Sequence, residues 1–214
     1  VRFFLKDAKY KNIIFFHGNA ELSQEYDEIA KLYHSIKCNL IVSDYRGYGL
    51  SSGTPNKNNL HTDASKIFCY VSEQLKMEGF IDKIIVMGRS LGSASACEIV
   101  SKHVNSLSGC IIESGFGTEQ PLLDLLQIDP AEINFSTEDG FENLRKLSSY
   151  KKPILFIHAD NDTIVPIREA HLMYDNVGSK IKSLFEVKGA GHNDILLYSR
   201  YKYFEEIKSF IDNT

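Results

Sequence analysis

The chain has 214 residues, of which 43% are hydrophobic and 24% charged, a composition that supports one hydrophobic core. Its formal net charge of -4 provides no basic face of the kind that nucleic-acid-binding proteins use, so no nucleic-acid partner is expected. No stretch approaches the roughly 20 apolar residues that a membrane-spanning helix needs, so no membrane span is expected in this chain.

The cysteines and charged residues form no recognisable ligand pattern. Four cysteines lie in or beside predicted strands and helices, without C-x-x-C spacing, at Cys38, Cys69, Cys97 and Cys110. This usage is typical of buried thiols in a reducing compartment, and it predicts a cytoplasmic protein. No cluster has metal-ligand spacing, so neither a metal nor a cofactor is expected. The basic run Arg145, Lys146, Lys151 and Lys152 is predicted to be a solvated face.

Strand-like apolar runs alternate with helical periodicity along the whole chain. Strands are predicted at 13–16, 40–43, 83–87, 109–112, 153–158 and 183–187. Apolar stripes at helical spacing predict core-facing helices around Tyr26 to Tyr33, Ala64 to Leu75 and Tyr201 to Ile211. This βαβ series predicts an α/β fold with a doubly wound, mostly parallel sheet, in one domain covering 1–214.

The first motif follows the strand at 13–16 and has the sequence His17-Gly18-Asn19-Ala20. A strand that runs into such a turn indicates an oxyanion hole, where backbone N–H groups stabilise the negative charge of a tetrahedral intermediate. We assign one donor to the backbone N–H of Asn19. His17 is expected to shape the loop through hydrogen bonds and not to act as a base.

The second motif is Gly88-Arg89-Ser90-Leu91-Gly92, between an apolar run and helix-forming residues. It fits the G-x-S-x-G nucleophile elbow, in which the serine adopts a strained backbone and the flanking glycines let the chain fold back. Ser90 is therefore the predicted nucleophile, and the N–H of Leu91 is the second predicted oxyanion donor. Taken alone, the pattern also fits a helix cap in an inactive relative.

The segment 113–150 is too short for a large lid domain. It predicts a short lid-like or connecting segment of a few helices and loops, with a minimal or absent cap. Its apolar residues would either line an acyl pocket beside Ser90 or cover the sheet, and they are Leu122, Leu123, Leu125, Leu126, Ile128 and Phe135.

A serine hydroxyl needs a base and a group that orients the base, and both candidates occur later in the chain. The loop after the strand at 153–158 contains Asp160 and Asp162, and the glycine-rich loop after 183–187 contains His192. Each of these residues follows a predicted strand, where ligands bind in open α/β sheets. Both Asp162 and His192 also have a purely structural interpretation. Asp162 would form an Asx turn, and His192 would be a loop histidine bonded to backbone.

Together these motifs resemble the α/β-hydrolase superfamily of serine hydrolases, from about residue 13 to residue 192. With Asp44-Tyr45-Arg46-Gly47-Tyr48-Gly49, they are similar to the branch that contains intracellular protein depalmitoylases and bacterial relatives. The resemblance implies that the acid is Asp162, four residues after His158. Family members carry two antiparallel strands before the first motif, so the short segment 1–5 implies a shortened N-terminal edge of the sheet.

Ser90, Asp162 and His192 thus predict a serine hydrolase that cleaves a carboxylic ester or thioester through an acyl-enzyme. The expected partner is a small-molecule or acylated substrate. Two alternatives stay open, because peptidases and amidases use the same triad and some proteins of this fold are ligand receptors or scaffolds. Measured turnover separates a scaffold from an enzyme, and a substrate panel separates amide from ester cleavage.

Overall fold

The computed structural model describes residues 1–80 and 84–214. Within these residues, seven strands form one sheet in the order β1-β3-β2-β4-β5-β6-β7. The strands are β1 (Arg2–Phe4), β2 (Lys11–Phe16), β3 (Cys38–Ser43), β4 (Ile84–Arg89), β5 (Leu107–Glu113), β6 (Ile154–Ala159) and β7 (Lys182–Val187). Strand β1 pairs antiparallel with β3, and the remaining pairings are parallel. The predicted mostly parallel sheet is confirmed, with one antiparallel strand at its N-terminal edge.

Helices cover both faces of the sheet. One face packs against α1 (Asp27–Ser35) and α7 (Ile195–Asp212). The other packs against α2 (Lys57–Met77), α3 (Gly92–Lys102), α5 (Asn143–Ser148) and α6 (Arg168–Asn176). The remaining helix, α4 (Gln120–Leu126), lies with α5 in the predicted lid-like segment. Helices on both faces confirm the doubly wound architecture.

The central strands are apolar almost throughout because each of their faces is buried. In β2, Ile13 and Phe15 join the core under α1 and α7, whereas Ile14 and Phe16 join the core under α2 and α3. Successive side chains of a strand point to opposite faces, so a strand covered on both sides needs an unbroken apolar run.

In the strand predicted at 83–87, Lys83 lies outside the described residues, and β4 runs from Ile84 to Arg89. The predicted core position Tyr201 is wrong, because its side chain is 83% exposed while Tyr203 is buried. The backbone leaves helical geometry at Ser199, with φ -146° and ψ 37°, so α7 is kinked there and turns Tyr203 toward the sheet.

Two surface and burial predictions are also wrong. Lys146 is only 4% exposed, because its ammonium group pairs with the buried carboxylate of Glu98 at 2.7 Å instead of facing solvent. Cys69 is exposed, since it follows the buried Phe68 on α2 and is turned away from the sheet. Cys38, Cys97 and Cys110 are buried free thiols, as expected.

Candidate active site

Ser90 lies on a sharp turn between β4 and α3. Its φ is +50°, and its N–H donates to the carbonyl oxygen of Glu113 at 2.9 Å. A β-carbon at Gly88 would lie 2.3 Å from the carbonyl oxygen of Gly92, and one at Gly92 would lie 1.9 Å from that of Phe16. Neither position has space for a side chain, which confirms why this turn needs both glycines.

The structure brings Ser90, His192 and Asp162 into one chain of hydrogen bonds. His192 Nε2 lies 3.0 Å from Ser90 Oγ, and His192 Nδ1 lies 2.7 Å from Asp162 Oδ2. The residues are 9%, 8% and 6% exposed respectively. Because the Nδ1–H group donates a hydrogen bond to the carboxylate, Nε2 carries no proton and can accept the serine proton, as a general base must.

Asp162 is fixed and charged by its surroundings. Its Oδ1 accepts hydrogen bonds from the N–H groups of Ile164 and Val165, at 2.9 and 2.8 Å. Burial by itself raises the pKa of Asp162, but hydrogen bonds from His158 and His192 outweigh that effect and hold the pKa well below its usual value. The carboxylate is therefore ionised at neutral pH and can stabilise an imidazolium.

His158, which the resemblance used to select the acid, packs against the acid loop. Its Nε2 donates to the carbonyl oxygen of Val165 at 2.8 Å and lies 3.5 Å from Asp162 Oδ2. Asp160 faces elsewhere, since it accepts a hydrogen bond from the N–H of Gly189 at 2.7 Å and lies 3.7 Å from Lys188 Nζ. The geometry therefore links Asp162, not Asp160, to the His192 ring.

The two predicted oxyanion donors lie at the ends of β2 and β4. Leu91 precedes the first residue of α3, where helix N–H groups have no partner within the helix. Asn19 follows β2, and the next residue, Ala20, has a φ of +63°. The hydroxyl of Tyr48 donates to Asn19 Oδ1 and so holds this loop from the side. The role of both N–H groups as donors stays a prediction.

His17 is built into the loop that carries Asn19. Its Nδ1 donates to the carbonyl oxygen of Gly18 at 2.8 Å, and its Nε2 lies 3.3 Å from Asp44 Oδ1. Tyr45 donates its hydroxyl proton to the carbonyl oxygen of His17 at 2.5 Å. These contacts agree with a loop-shaping role for His17.

Arg89 connects the elbow to the His192 loop, a role that sequence reasoning missed. Its Nη2 donates to the His192 carbonyl oxygen at 2.8 Å and to Asn193 Oδ1 at 2.9 Å. Its Nη1 bonds to Glu21, and its Nε lies 3.3 Å from Glu113 Oε1. The sequence contains one signal for this role, because Arg89 ends β4 and the oppositely charged Glu113 ends the next strand, β5.

Glu113 is itself a buried carboxyl, held by Arg89 and by Tyr203, whose hydroxyl donates to Glu113 Oε2 at 2.6 Å. Burial raises the pKa of Glu113, and the nearby Arg89 guanidinium opposes that rise. We call Arg89, Glu21, Glu113, Asn193 and Tyr203 the Arg89 network.

The leucines of the lid-like segment do not form one apolar wall. Leu123 is buried, and Leu122 packs against a small apolar cluster formed by Ala94, Phe116 and Val165. Leu125 and Leu126, in contrast, are 57% and 65% exposed. A seven-residue helix such as α4 buries only one face, so its other leucines point away from the sheet. Leu125 and Leu126 therefore neither line a pocket nor cover the sheet, while Ile128 and Phe135 are half-buried.

The described residues contain neither a metal site nor a helix that could span a membrane. Among 1–80 and 84–214, no three His, Cys, Asp or Glu side chains are placed to hold a metal ion. Over the same ranges, no helix combines the length and the hydropathy that crossing a membrane requires.

A mostly parallel sheet, a serine on a strained strand-to-helix turn, and an acid and a histidine on later strand-end loops together define the α/β-hydrolase class. Residues 7–132 match the family described as serine aminopeptidase, S33, and the chain belongs to this family of α/β-hydrolase serine hydrolases.

Relatives and solved structures agree with this class. The chain is 31% identical to the alpha/beta hydrolase domain-containing protein aho-3 of Caenorhabditis elegans and 30% identical to the human alpha/beta hydrolase domain-containing protein 17C, each over 94% of this chain. It spans 57% and 58% of the length of those two relatives.

Among solved structures, an esterase of Pyrococcus furiosus superposes with a TM-score of 0.77 at 17% identity, covering 97% of this chain and 84% of that one. Est1E of Butyrivibrio proteoclasticus, solved with ferulic acid bound, gives a TM-score of 0.76 at 19% identity, covering 97% of this chain and 90% of that one. At these identities, the likeness concerns the fold.

Proposed function

We propose that this protein hydrolyses carboxylic esters or thioesters through an acyl-enzyme on Ser90. The observation that carries the proposal is the pair of contacts on one imidazole, with Nε2 3.0 Å from Ser90 Oγ and Nδ1 2.7 Å from Asp162 Oδ2. A serine hydroxyl is a weak nucleophile at neutral pH, and these contacts are the ones that activate it.

In the acylation step, Ser90 Oγ attacks the carbonyl carbon while His192 Nε2 takes the hydroxyl proton. The bond from that carbon to the leaving oxygen or sulfur then breaks, and His192 returns the proton to the leaving group. Asp162 holds the imidazole tautomer and stabilises the imidazolium. The N–H groups of Asn19 and Leu91 stabilise the oxyanion, and loss of one such donor typically costs about 3 to 4 kcal/mol.

In the deacylation step, His192 takes a proton from water, and the resulting hydroxide attacks the acyl carbonyl. The bond to Ser90 Oγ breaks, the carboxylic acid leaves, and the proton returns to Ser90. Every proton transfer in this cycle uses a side chain of this protein, so the mechanism requires no cofactor. The substrate is a small-molecule or acylated compound, and a cytoplasmic location stays a prediction.

Peptide cleavage is the second candidate, because the matching family is described as serine aminopeptidase. An aminopeptidase needs a carboxylate for the free amino group of its substrate. Beside the elbow, Glu21 and Glu113 are both bonded to Arg89, and Glu113 is buried. Both carboxylates are therefore already engaged by a cation.

A fluorophosphonate probe tests the nucleophile. The wild-type protein should acquire one covalent label and hydrolyse 4-nitrophenyl acetate, and Ser90→Ala should lose both properties. Ser93→Ala is the matched control, since Ser93 is a buried serine three residues further on, and this variant should keep both. Labelling of Ser90→Ala, or a folded wild type that never labels, contradicts the proposal. Faster cleavage of a matched aminopeptide than of the ester supports the second candidate instead.

A further inference from the structure

An apolar cavity lies beside the candidate oxyanion hole, between α2 and the loop that follows β3. Its volume is about 180 Å³, and its wall includes Leu60, Ala64, Ile67, Tyr48 and Leu91. Pockets that hold drug-sized ligands typically measure about 300 to 1,000 Å³, so this cavity suits a smaller group.

The cavity wall contains neighbours of both predicted oxyanion donors. Leu91 supplies one of the two N–H groups and directly follows Ser90 in the chain. The hydroxyl of Tyr48 donates to the side chain of Asn19, and the backbone N–H of Asn19 is the other predicted donor. A carbonyl carbon bound to Ser90 would therefore lie near this cavity, and the acyl group attached to that carbon could enter the cavity.

Several polar side chains around the cavity are already bonded to another side chain or to the backbone. Arg46 donates from Nε and Nη2 to the two carboxylate oxygens of Asp63, at 2.5 and 2.7 Å. Asn56 accepts a hydrogen bond from the N–H of Asn59 at 2.9 Å, at the start of α2. A polar ligand would have to compete for these groups, whereas an alkyl chain needs only the apolar wall.

The lid-like segment forms part of the cavity wall. Phe141 from this segment contributes to the wall, and Lys57 Nζ donates to the carbonyl oxygen of Glu138 at 2.9 Å. Leu60 and Phe141 also pack against the small apolar cluster that contains Val165 of the acid loop. The wall of the cavity is thus formed by α2, the elbow, the loop after β3 and the lid-like segment.

We propose that this cavity binds the acyl chain of the substrate and restricts the enzyme to esters or thioesters of short linear acyl groups. The inference rests on the proposed function. It places the acyl chain against α2, and not along the leucines of α4. Turnover should therefore rise from acetate to butyrate or hexanoate and fall for laurate and palmitate.

Another cavity among the described residues provides a matched control. It measures about 330 Å³ and lies against α1 and α7, with Ile29, Glu21, Arg89 and Glu113 among its lining residues. More of its wall is polar than in the first cavity, and covering that polar surface with hydrocarbon in place of water is costly. Ile29 and Ile67 are both half-buried helix residues that face a cavity, so the same substitution can be made at each.

The experiment measures kcat/KM for a series of 4-nitrophenyl esters with wild type, Ile67→Phe and Ile29→Phe. Ile67→Phe should narrow the cavity and lower the hexanoate-to-acetate ratio about tenfold or more. Ile29→Phe should leave that ratio unchanged. Leu60→Ala should widen the cavity and move the optimum toward longer chains, which keeps the test available if Ile67→Phe fails to fold.

Three outcomes would overturn the inference. An unchanged ratio in Ile67→Phe, or an equal change in Ile29→Phe, overturns the placement of the acyl chain while ester turnover itself supports the proposed function. A wild type that prefers palmitate over hexanoate overturns the short-chain restriction. A folded wild type with no ester turnover and no fluorophosphonate label overturns the proposed function and the inference with it.

Discussion

Two charged networks, each built around a buried glutamate, lie on opposite faces of the sheet and contact different parts of the protein. The Arg89 network lies on the side of α1 and α7 and bonds to the loop that carries His192. The second network joins α2, α3 and α5 around the carboxylate of Glu98 on α3. Lys146 of α5 and Lys102 of α3 contact this carboxylate at 2.7 and 2.5 Å. His61 Nδ1 of α2 lies 3.9 Å from it. We call this second group the Glu98 network.

The two networks both bury charge, but only the Arg89 network contacts the candidate active site. Both networks remove charges from water, and each offsets part of that cost by pairing them. The Arg89 network positions the backbone of the candidate base, so its loss should change kcat. The Glu98 network holds three helices together away from that loop, so its loss should change the free energy of unfolding.

The largest effect is expected where a side chain contacts the His192 ring itself. Asp162→Asn should lower kcat by about 10⁴, because the amide no longer fixes the imidazole tautomer or stabilises the imidazolium. Steady-state kinetics on the folded variant measure this loss. Asp160→Asn is the matched control two residues earlier, bonded to the N–H of Gly189 and not to His192, and it should cost far less. The reverse ranking would show that the acid is assigned to the wrong residue.

The next effect compares the two networks directly. Arg89→Lys keeps the positive charge but loses the planar guanidinium, whose Nη2 donates both to the His192 carbonyl oxygen and to Asn193. The His192 loop should shift, and kcat/KM should fall about 10²-fold, as expected for a small misplacement of a catalytic group. The pH profile of kcat/KM should change as well, because the base is repositioned.

Lys146→Met is the partner variant in the Glu98 network. It removes the buried cation and leaves Glu98 paired with Lys102, so the free energy of unfolding should drop by about 3 kcal/mol. Its kcat/KM should match wild type under conditions where it is folded. Denaturant titrations and kinetics on both variants decide the matter, and a catalytic loss in Lys146→Met as large as that in Arg89→Lys would remove the distinction between the networks.

The smallest effect is a pH dependence within the Glu98 network. Burial, followed by the charge of Lys146, lowers the pKa of His61 to about 4 from its ordinary value of 6.5. The unfolded chain therefore takes up a proton at higher pH than the folded protein does. The stability contribution of neutral His61 is complete above pH 6.5 and is lost as the pH falls toward 4.

His61→Gln should accordingly flatten the loss of stability between pH 6.5 and 4, by about 1 kcal/mol after allowance for solvent screening. Urea titrations of both proteins across this range measure the difference. Parallel pH curves for wild type and His61→Gln would show that the surroundings of His61 do not disfavour its protonation.

The sequence by itself determined the strands, their parallel arrangement and the order of the site residues. These features depend on neighbours in the chain: apolar runs that need cover on both faces, and Gly88, where a β-carbon would meet the carbonyl oxygen of Gly92 four residues later. The fold class and the strand-end position of Ser90, Asp162 and His192 followed from such local patterns.

Only the tertiary structure decided the partners of Arg89, the burial of Lys146 and the position of the apolar cavity. Arg89 and Asn193 are 104 residues apart, and Lys146 meets His61 across 85 residues, so no local pattern relates them. The cavity lies against α2, whose Leu60, Ala64 and Ile67 line it, and not along α4. Such contacts depend on how helices pack on the finished sheet, where the energy of a charge or an apolar side chain is set by residues distant in the chain.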